Sequence, residues 1–319
     1  TPTGWRTSWS GSASSSARMA KLAVVLMNLG GPDSADAVKP FLYNLFSDRA
    51  IIALPNPLRW FIARMISSRR APVAQQIYAK IGNASPLLPN TEAQARALEA
   101  VLGVETRCFI AMRYWHPFAD RAARAIAQWG ADEIVLLPLY PQFSSTTTAS
   151  SLADWQEAAN RAGVTAPAHA ICCAPDEPGF IAALAENIRA ALAAWPPGKG
   201  TPRLLLSAHG LPKRTVARGD PYQSQVEMTA AALHQALARP ELEATICYQS
   251  RVGPLEWLGP ATDAEIRRAG AEKRGLIVAP IAFVSEHSET LVELDIEYGH
   301  LAAQSGVPHY LRVPTVATN

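Results

Sequence analysis

An α/β architecture, with parallel sheets flanked by helices in two domains, is what this sequence predicts, and three observations carry it. Apolar, β-rich segments alternate along the chain with stretches of helical periodicity, the pattern of parallel strands joined by crossover helices. The strongest of these segments, such as Gly275 to Phe283, are apolar almost throughout rather than at every second position, as strands covered on both faces must be. With 319 residues, 49% of them hydrophobic and 18% charged, the chain is long enough to bury two modest cores.

Residues 1–20 carry no acidic residue, two arginines and many serines, the composition of a targeting segment; we read them as a disordered leader or added extension, with Met19 as the natural start. The first strand, Leu22 to Leu29, runs into Gly30, Gly31 and Pro32. Two glycines at a βα turn let backbone approach a ligand, but this is not G-x-G-x-x-G and no acidic residue stands where a ribose would need one, so a nucleotide site is disfavoured. Leu54 to Arg70 follows as a helix. Leu58, Phe61, Ile62, Met65 and Ile66 form one apolar stripe, with Trp60, Arg59, Arg64, Arg69 and Arg70 beside it. That pattern suits either a core-facing helix or a pocket lip lying on an anionic lipid surface.

Helix Thr91 to Leu102 leads to strand Val104 to Ala111, after which Arg113, Tyr114 and His116 stand at a carboxyl end. Helix Pro117 to Trp129 and strand Ile134 to Tyr140 come next, followed by the polar run from Gln142 to Thr148, which could bind carboxylates or line a pocket. A Ser/Thr run after a strand is where we expect the domain boundary, giving domains of residues 21–147 and 148–319, the last segment of the second returning towards the first. The second part repeats the alternation: strands Ala168 to Cys172, Arg203 to Ser207, Ala244 to Gln249, Gly275 to Phe283 and Pro308 to Val313, with helices Phe180 to Trp195 and Pro221 to Leu237 between them. Two comparable βα halves hint at duplication, without a visible sequence repeat.

The formal net charge of +2 argues against nucleic acid as a partner. Cys108, Cys172, Cys173 and Cys247 show no zinc-like spacing and indicate no disulfide framework, which suits a reducing compartment. No run approaches the roughly 18 apolar residues that would cross a bilayer.

Chemistry gathers at strand ends, where open α/β sheets bind ligands. His209 follows the strand from Arg203, with Gly210 and Pro212 shaping the turn beyond it. After Phe283, with Ser285 as the expected N-cap, a helix would place Glu286, Glu289, Glu293 and Glu297 on one face. Such glutamates are ordinarily a solvated face; their position beyond a buried strand favours a site. No G-x-S-x-G elbow, Walker loop or H-E-x-x-H is present, so acyl transfer, phosphoryl transfer and zinc proteolysis lack their parts. An imidazole that accepts protons near neutrality and carboxylates that pass a divalent cation suit proton removal coupled to metal delivery.

From Lys21 to about Thr315 the chain resembles the ferrochelatase family. The matching runs are MNLGGP at Met27 to Pro32, RRAP with IYAKIGNASPL between Arg69 and Leu87, AMRYWHP at Ala111 to Pro117, LLPLYPQFSSTTTAS at Leu136 to Ser150, LLLSAHGLP at Leu204 to Pro212, YQSRVGPLEWLGP at Tyr248 to Pro260, and FVSEHSETLVELDIEY at Phe283 to Tyr298. The resemblance implies two Rossmann-like, chelatase-type domains facing each other across a cleft, where Fe²⁺ is inserted into protoporphyrin IX to give protohaem. It implies His209 and Glu289 as the catalytic pair and His209, Glu289, Glu293 and Glu297 as the metal or proton path. Met27, Arg70, Tyr78, Ser85, Arg113, Tyr114, Trp257, Glu286 and His287 match substrate-binding positions. No permanently bound cofactor is expected, since Fe²⁺ is a substrate and members with a [2Fe-2S] cluster use cysteines in a C-terminal extension. Members usually continue into a further helix beyond the VPTVATN segment. A cytoplasmic protein is expected, peripheral at the membrane through residues 54–70. A chelatase for coproporphyrin or sirohydrochlorin would share these features, and a non-catalytic haem or porphyrin carrier would need no proton acceptors.

Overall fold

The computed structural model describes residues 20–251 and 253–319, so the expected leader lies outside the described residues but for its last position. The first half runs β1 (Leu22–Asn28), α1 (Val38–Ser47), α2 (Leu58–Ala79), α3 (Leu87–Leu102), β2 (Thr106–Met112), α4 (Ala119–Trp129), β3 (Glu133–Pro138), α5 (Thr148–Ala162) and β4 (Ala168–Ala170). The second runs α6 (Pro178–Ala193), β5 (Arg203–His209), α7 (Lys213–Ala217), α8 (Tyr222–Leu237), β6 (Ala244–Gln249), α9 (Thr262–Ala271), β7 (Leu276–Pro280), a π-helix (Glu289–Glu297), α10 (Tyr298–Ser305) and β8 (Tyr310–Arg312).

Two parallel sheets result, in the orders β2-β1-β3-β4 and β6-β5-β7-β8. The orders are the same once the second set is renumbered, which gives the hint of duplication a physical form. In each sheet the chain leaves the first strand in one direction and crosses back to the third, so the switch points lie between β1 and β3 and between β5 and β7. β7 is buried at every residue and β5 at all but His209, as their unbroken apolar runs require.

Residues 147 and 148, where the domain boundary was expected, fall at the start of α5, between two strands of the first sheet. β4 pairs with β3, from Ile134 opposite Ala168 to Leu136 opposite Ala170, and α5 packs on α4, so both belong with the first sheet. The crossing between sheets falls between β4 and α6. The polarity of the Ser/Thr run serves contacts between the two halves. Gln142, 2% exposed, donates from Nε2 to Thr229 Oγ1 at 2.9 Å and to the Ile281 carbonyl at 3.1 Å, both in the second half. Asp220 then gathers the loop. Its Oδ2 accepts from Ser144 Oγ at 3.0 Å, Ser145 N at 2.7 Å and Ser145 Oγ at 2.6 Å, while Oδ1 accepts from Tyr222 N at 3.0 Å. These residues join the halves.

The glycines after β1 also answer to packing. A Cβ on Gly31 would lie 2.3 Å from Ser85 Oγ, and Ser85 N donates to the Pro32 carbonyl at 2.7 Å. Helix α2 is not core-facing along its apolar stripe: its buried positions are Ala63, Ser67, Ala71 and Tyr78, while Leu58, Phe61 and Met65 are exposed. Cys172 and Cys173 are joined by a disulfide, where no pairing was indicated; a bond between neighbours encloses no loop and leaves no spacing to read.

Removing the Asp220 carboxylate strands several donors at the joint. Asp220→Ala is expected to destabilise the fold by about 3 kcal/mol, read as a lower urea midpoint at unchanged slope. An unmoved midpoint would show that the clasp contributes nothing.

Candidate active site

His209 ends β5 and pairs in register with Gln249 at the end of β6. Its Nδ1 lies 2.8 Å from Glu289 Oε2, so two residues 80 apart in sequence meet at the switch point of the second sheet. The imidazole side chain is 42% exposed and the Glu289 side chain 26%, so the pair is open on one side.

Glu289 is placed by an unusual element. Ser285 is not an N-cap: its hydroxyl donates to Gln94 Oε1 of α3 at 3.1 Å, and the chain stays non-helical until Ser288. Glu289 to Glu297 then forms a π-helix, whose i→i+5 turns are rarely sustained. Partners outside the helix hold it. Tyr310 Oη donates to the Leu294 carbonyl at 2.6 Å, and Arg312 donates from Nε and Nη2 to the two oxygens of Asp295 at 2.8 and 2.6 Å.

Glu289, Glu293 and Glu297 are tied into one file. Ser250, just beyond β6, adopts a left-handed φ of 59°, which is uncommon outside glycine. In that conformation its N–H reaches Glu293 Oε1 at 2.8 Å, while its hydroxyl meets Glu293 Oε2 and also Glu289 Oε2, the latter at 3.3 Å. Tyr298 Oη donates to Glu293 Oε1 at 2.9 Å, and Lys80 of the first half reaches Glu297 at 3.2 Å. Glu293, Glu297, Ser250 and Tyr298, with Arg251 and Asp263, line a cavity of about 350 Å³ behind the π-helix.

Their proton affinities diverge. For Glu289, burial alone would raise the pKa, but the charge and hydrogen bond of His209, then those of His287, hold it well below the usual carboxylate range. For His209, burial pulls downward and is outweighed by the charge and hydrogen bond of Glu289, so its pKa is raised. Glu293 is raised by burial and by the neighbouring Glu289 charge, against the hydrogen bonds from Ser250 and Tyr298.

The remaining expected residues divide into those at this site and those committed elsewhere. Tyr78 is brought to it: burial lifts its phenol to about 12, a hydrogen bond with Ser288 opposes this, and the Glu289 charge adds to it. His287 packs against Phe283 with ring centroids 4.6 Å apart and planes inclined by 48°, its Nε2 3.9 Å from Glu289 Oε2. Trp257 lies against Gly210, the residue after His209, since a Cβ there would stand 3.3 Å from its Cε3. Arg70 is exposed, its guanidinium 5.8 Å from the Phe46 ring centroid, and Ser85 sits at the turn after β1.

Others make their contacts elsewhere in the fold. Met27 is 1% exposed and packs in the first core as an interior residue of β1. Tyr114 is equally buried and donates its phenol to Asp48 Oδ2 at 2.8 Å; Arg113 donates to the same oxygen at 2.9 Å and to Ser150 at 2.7 Å. Both are occupied in holding Asp48. Glu286 precedes the helix, off the file, and accepts from Arg312 Nη1 at 2.6 Å and Thr315 N at 2.9 Å. Among the described residues, no group of three or more His, Cys, Asp and Glu side chains is placed to hold a metal ion.

Ser250, Lys80 and Arg312 were missed. Ser250 carried a signal, for it follows a strand end as His209 does; Lys80 and Arg312 carried none, because only folding brings them to the file.

Residues 21–319 match the family model described as ferrochelatase. The chain is 56% identical over 306 residues to the ferrochelatase of Caulobacter vibrioides, covering 93% of this chain and 86% of that one. It is 58% identical over 303 residues to the ferrochelatase of Phenylobacterium zucineum (92% and 86%), and 48% identical over 303 residues to that of Wolbachia pipientis wMel (94% and 95%). Among solved structures it is similar in fold to the sirohydrochlorin chelatase SirB of Bacillus subtilis subspecies spizizenii in complex with cobalt, with a TM-score of 0.52 at 12% identity over 94% of this chain and 89% of that one.

The pair sets a pH dependence with a definite sign. Raised affinity at His209 stabilises the fold below its unfolded pKa and is lost as pH climbs through the folded value; depressed affinity at Glu289 stabilises above its unfolded pKa and is lost as pH falls through the folded value. Their joint contribution is therefore greatest between about pH 4.5 and 6.5. Glu289→Gln is expected to destabilise most in that window and least at alkaline pH, and to lower the His209 pKa in an NMR titration. A cost independent of pH, or an unmoved imidazole, would contradict the assignment.

Proposed function

This chain belongs to the ferrochelatase family, whose reaction joins ferrous iron to a porphyrin to make haem, and we propose that His209 and Glu289 carry that reaction here, with protoporphyrin IX as the porphyrin. The observation that supports this reading is the 2.8 Å contact between the two side chains at the carboxyl edge of the second sheet. A porphyrin loses two inner N–H protons as iron enters, so the site needs an acceptor whose protonated form is stabilised. With Nδ1–H donated to the Glu289 carboxylate, the tautomer of His209 is set and its Nε2 lone pair becomes the acceptor. The imidazolium formed there is matched by the adjacent carboxylate, the same interaction that raises its pKa.

Glu293 and Glu297 continue from Glu289 to the cavity behind the π-helix, and we assign this file to moving protons outward or Fe²⁺ inward. Arg70, Tyr78 and Ser85 are proposed to bind the porphyrin propionates, with Trp257 against the ring. Holding the ring bent exposes its nitrogens to iron; rim contacts can supply roughly 1–5 kcal/mol of that strain.

We also propose that the exposed face of α2 rests on a membrane, as greasy substrate and product favour. Trp60 and Phe61 are 65% and 67% exposed. Between Asp48 and Glu92 the chain carries Arg49, Arg59, Arg64, Arg69, Arg70 and Lys80 and no acidic residue, which suits anionic lipid. Among the described residues no helix is long and apolar enough to cross the bilayer.

His209→Ala is expected to lower the rate of Fe²⁺ or Zn²⁺ insertion into protoporphyrin, followed by absorption under anaerobic conditions, by about 10²–10⁴-fold with the fold intact by circular dichroism. Substantial retained turnover would refute the role. Comparing turnover on protoporphyrin, coproporphyrin and sirohydrochlorin identifies the macrocycle, and porphyrin binding without accelerated insertion would make the chain a carrier. Paired replacement of Trp60 and Phe61 by serine is expected to weaken sedimentation with vesicles containing anionic phospholipid; unchanged sedimentation would remove α2 from the contact.

A further inference from the structure

Two residues of the proposed reaction, Glu289 and Glu293, lie between two carboxylates that are bound by one buried cation. Glu286 stands three positions before Glu289 and Asp295 six after it, and the side chain of Arg312, only 9% exposed, binds both. Its Nε and Nη2 fork onto Asp295 at 2.8 and 2.6 Å, and its Nη1 meets Glu286 at 2.6 Å. The planar guanidinium fixes the directions of all these bonds at once, so the two ends of the segment are held at a set separation.

That separation selects the helix type. Converting the i→i+5 pattern to i→i+4 anywhere between Glu286 and Asp295 changes the rotation accumulated along the segment by a large part of a residue step, about 100° in an α-helix. Asp295 would leave the fork, and Glu289 and Glu293 would turn relative to His209 and Ser250. The surrounding chain strengthens the arrangement. Thr315 N adds a 2.9 Å bond to Glu286, Ala317 N donates to the Val284 carbonyl at 3.0 Å, and the Ala317 carbonyl accepts from Gln94 of α3 at 2.8 Å.

We propose that Arg312 is a positioning residue for the reaction: it keeps the π-helical register and thereby holds Glu289 against His209. This rests on the roles proposed above for that pair. Arg312 does not itself touch them, so its effect must pass through Glu289.

The full-length chain with Arg312→Lys keeps the charge and loses the planar fork. In zinc insertion into protoporphyrin its kcat is expected to fall about 100-fold, the scale of an ångström-sized misplacement, with KM for the porphyrin changed less than about twofold. In a Glu289→Gln background the same substitution is expected to change kcat by less than about threefold, since coupled residues do not add. Should Arg312→Lys fail to fold by circular dichroism, Asp295→Asn removes the fork from the other side and carries the same expectations. Wild-type kcat in the folded single variant, or losses that multiply in the double variant, would overturn the proposal. Full activity of Glu289→Gln alone would instead strike down the role of Glu289, and the Arg312 proposal with it.

Discussion

A π-helix of this length has to be held from outside. Its turns are wider than those of an α-helix and its backbone alone does not favour them, so the stretch from Glu289 to Glu297 depends on what its neighbours supply. They supply it from opposite sides. Arg312 and Tyr310 of β8 hold Asp295 and the Leu294 carbonyl, while Ser250 after β6 grips Glu293. Lys80 of the first half reaches Glu297. The placement of Glu289 is thus a property of the tertiary structure, since residues of β8, the turn after β6 and the end of α2 all hold the helix that carries it.

The same logic explains why the halves are joined by polar side chains at two places. Gln142 and the Asp220 cluster bind the loop after β3 to α8 and to the end of β7. On α3, Asn90 donates to the Glu286 carbonyl at 3.0 Å, and Gln94 binds Ser285 and Ala317. Both joints meet the stretch that runs from β7 into the π-helix. Buried polar bonds are directional, and their cost when broken is higher than their gain when formed; they give the loop one position where apolar packing would permit several.

The strands were legible because each central one is apolar throughout, and His209 because it follows such a strand directly. The π-helix was not legible. The four-residue spacing of Glu289, Glu293 and Glu297 keeps acids near one edge of either helix type, so the pattern cannot distinguish them, and it wrongly drew in Glu286, which lies before the helix. The Gln142–Thr148 run is ambiguous for a related reason: hydroxyls that bind a ligand and hydroxyls that bind Asp220 look alike in a sequence. Arg312 and Asp295 lie 17 residues apart with nothing local to mark them as partners.

The order of proton affinities gives the site its direction under the proposed roles. A proton taken by His209 is not passed on to rest at Glu289, because His209 and His287 hold that carboxylate ionised. Glu289 is then a fixed counter-charge. The group with raised affinity is Glu293, and it shares the Ser250 hydroxyl with Glu289 while facing the cavity. A divalent cation arriving from that side would favour the ionised form of Glu293 and expel its proton. Cation arrival and proton departure would then exclude each other at one carboxylate, so that inward movement of the metal and outward movement of protons along Glu293 and Glu297 are one exchange.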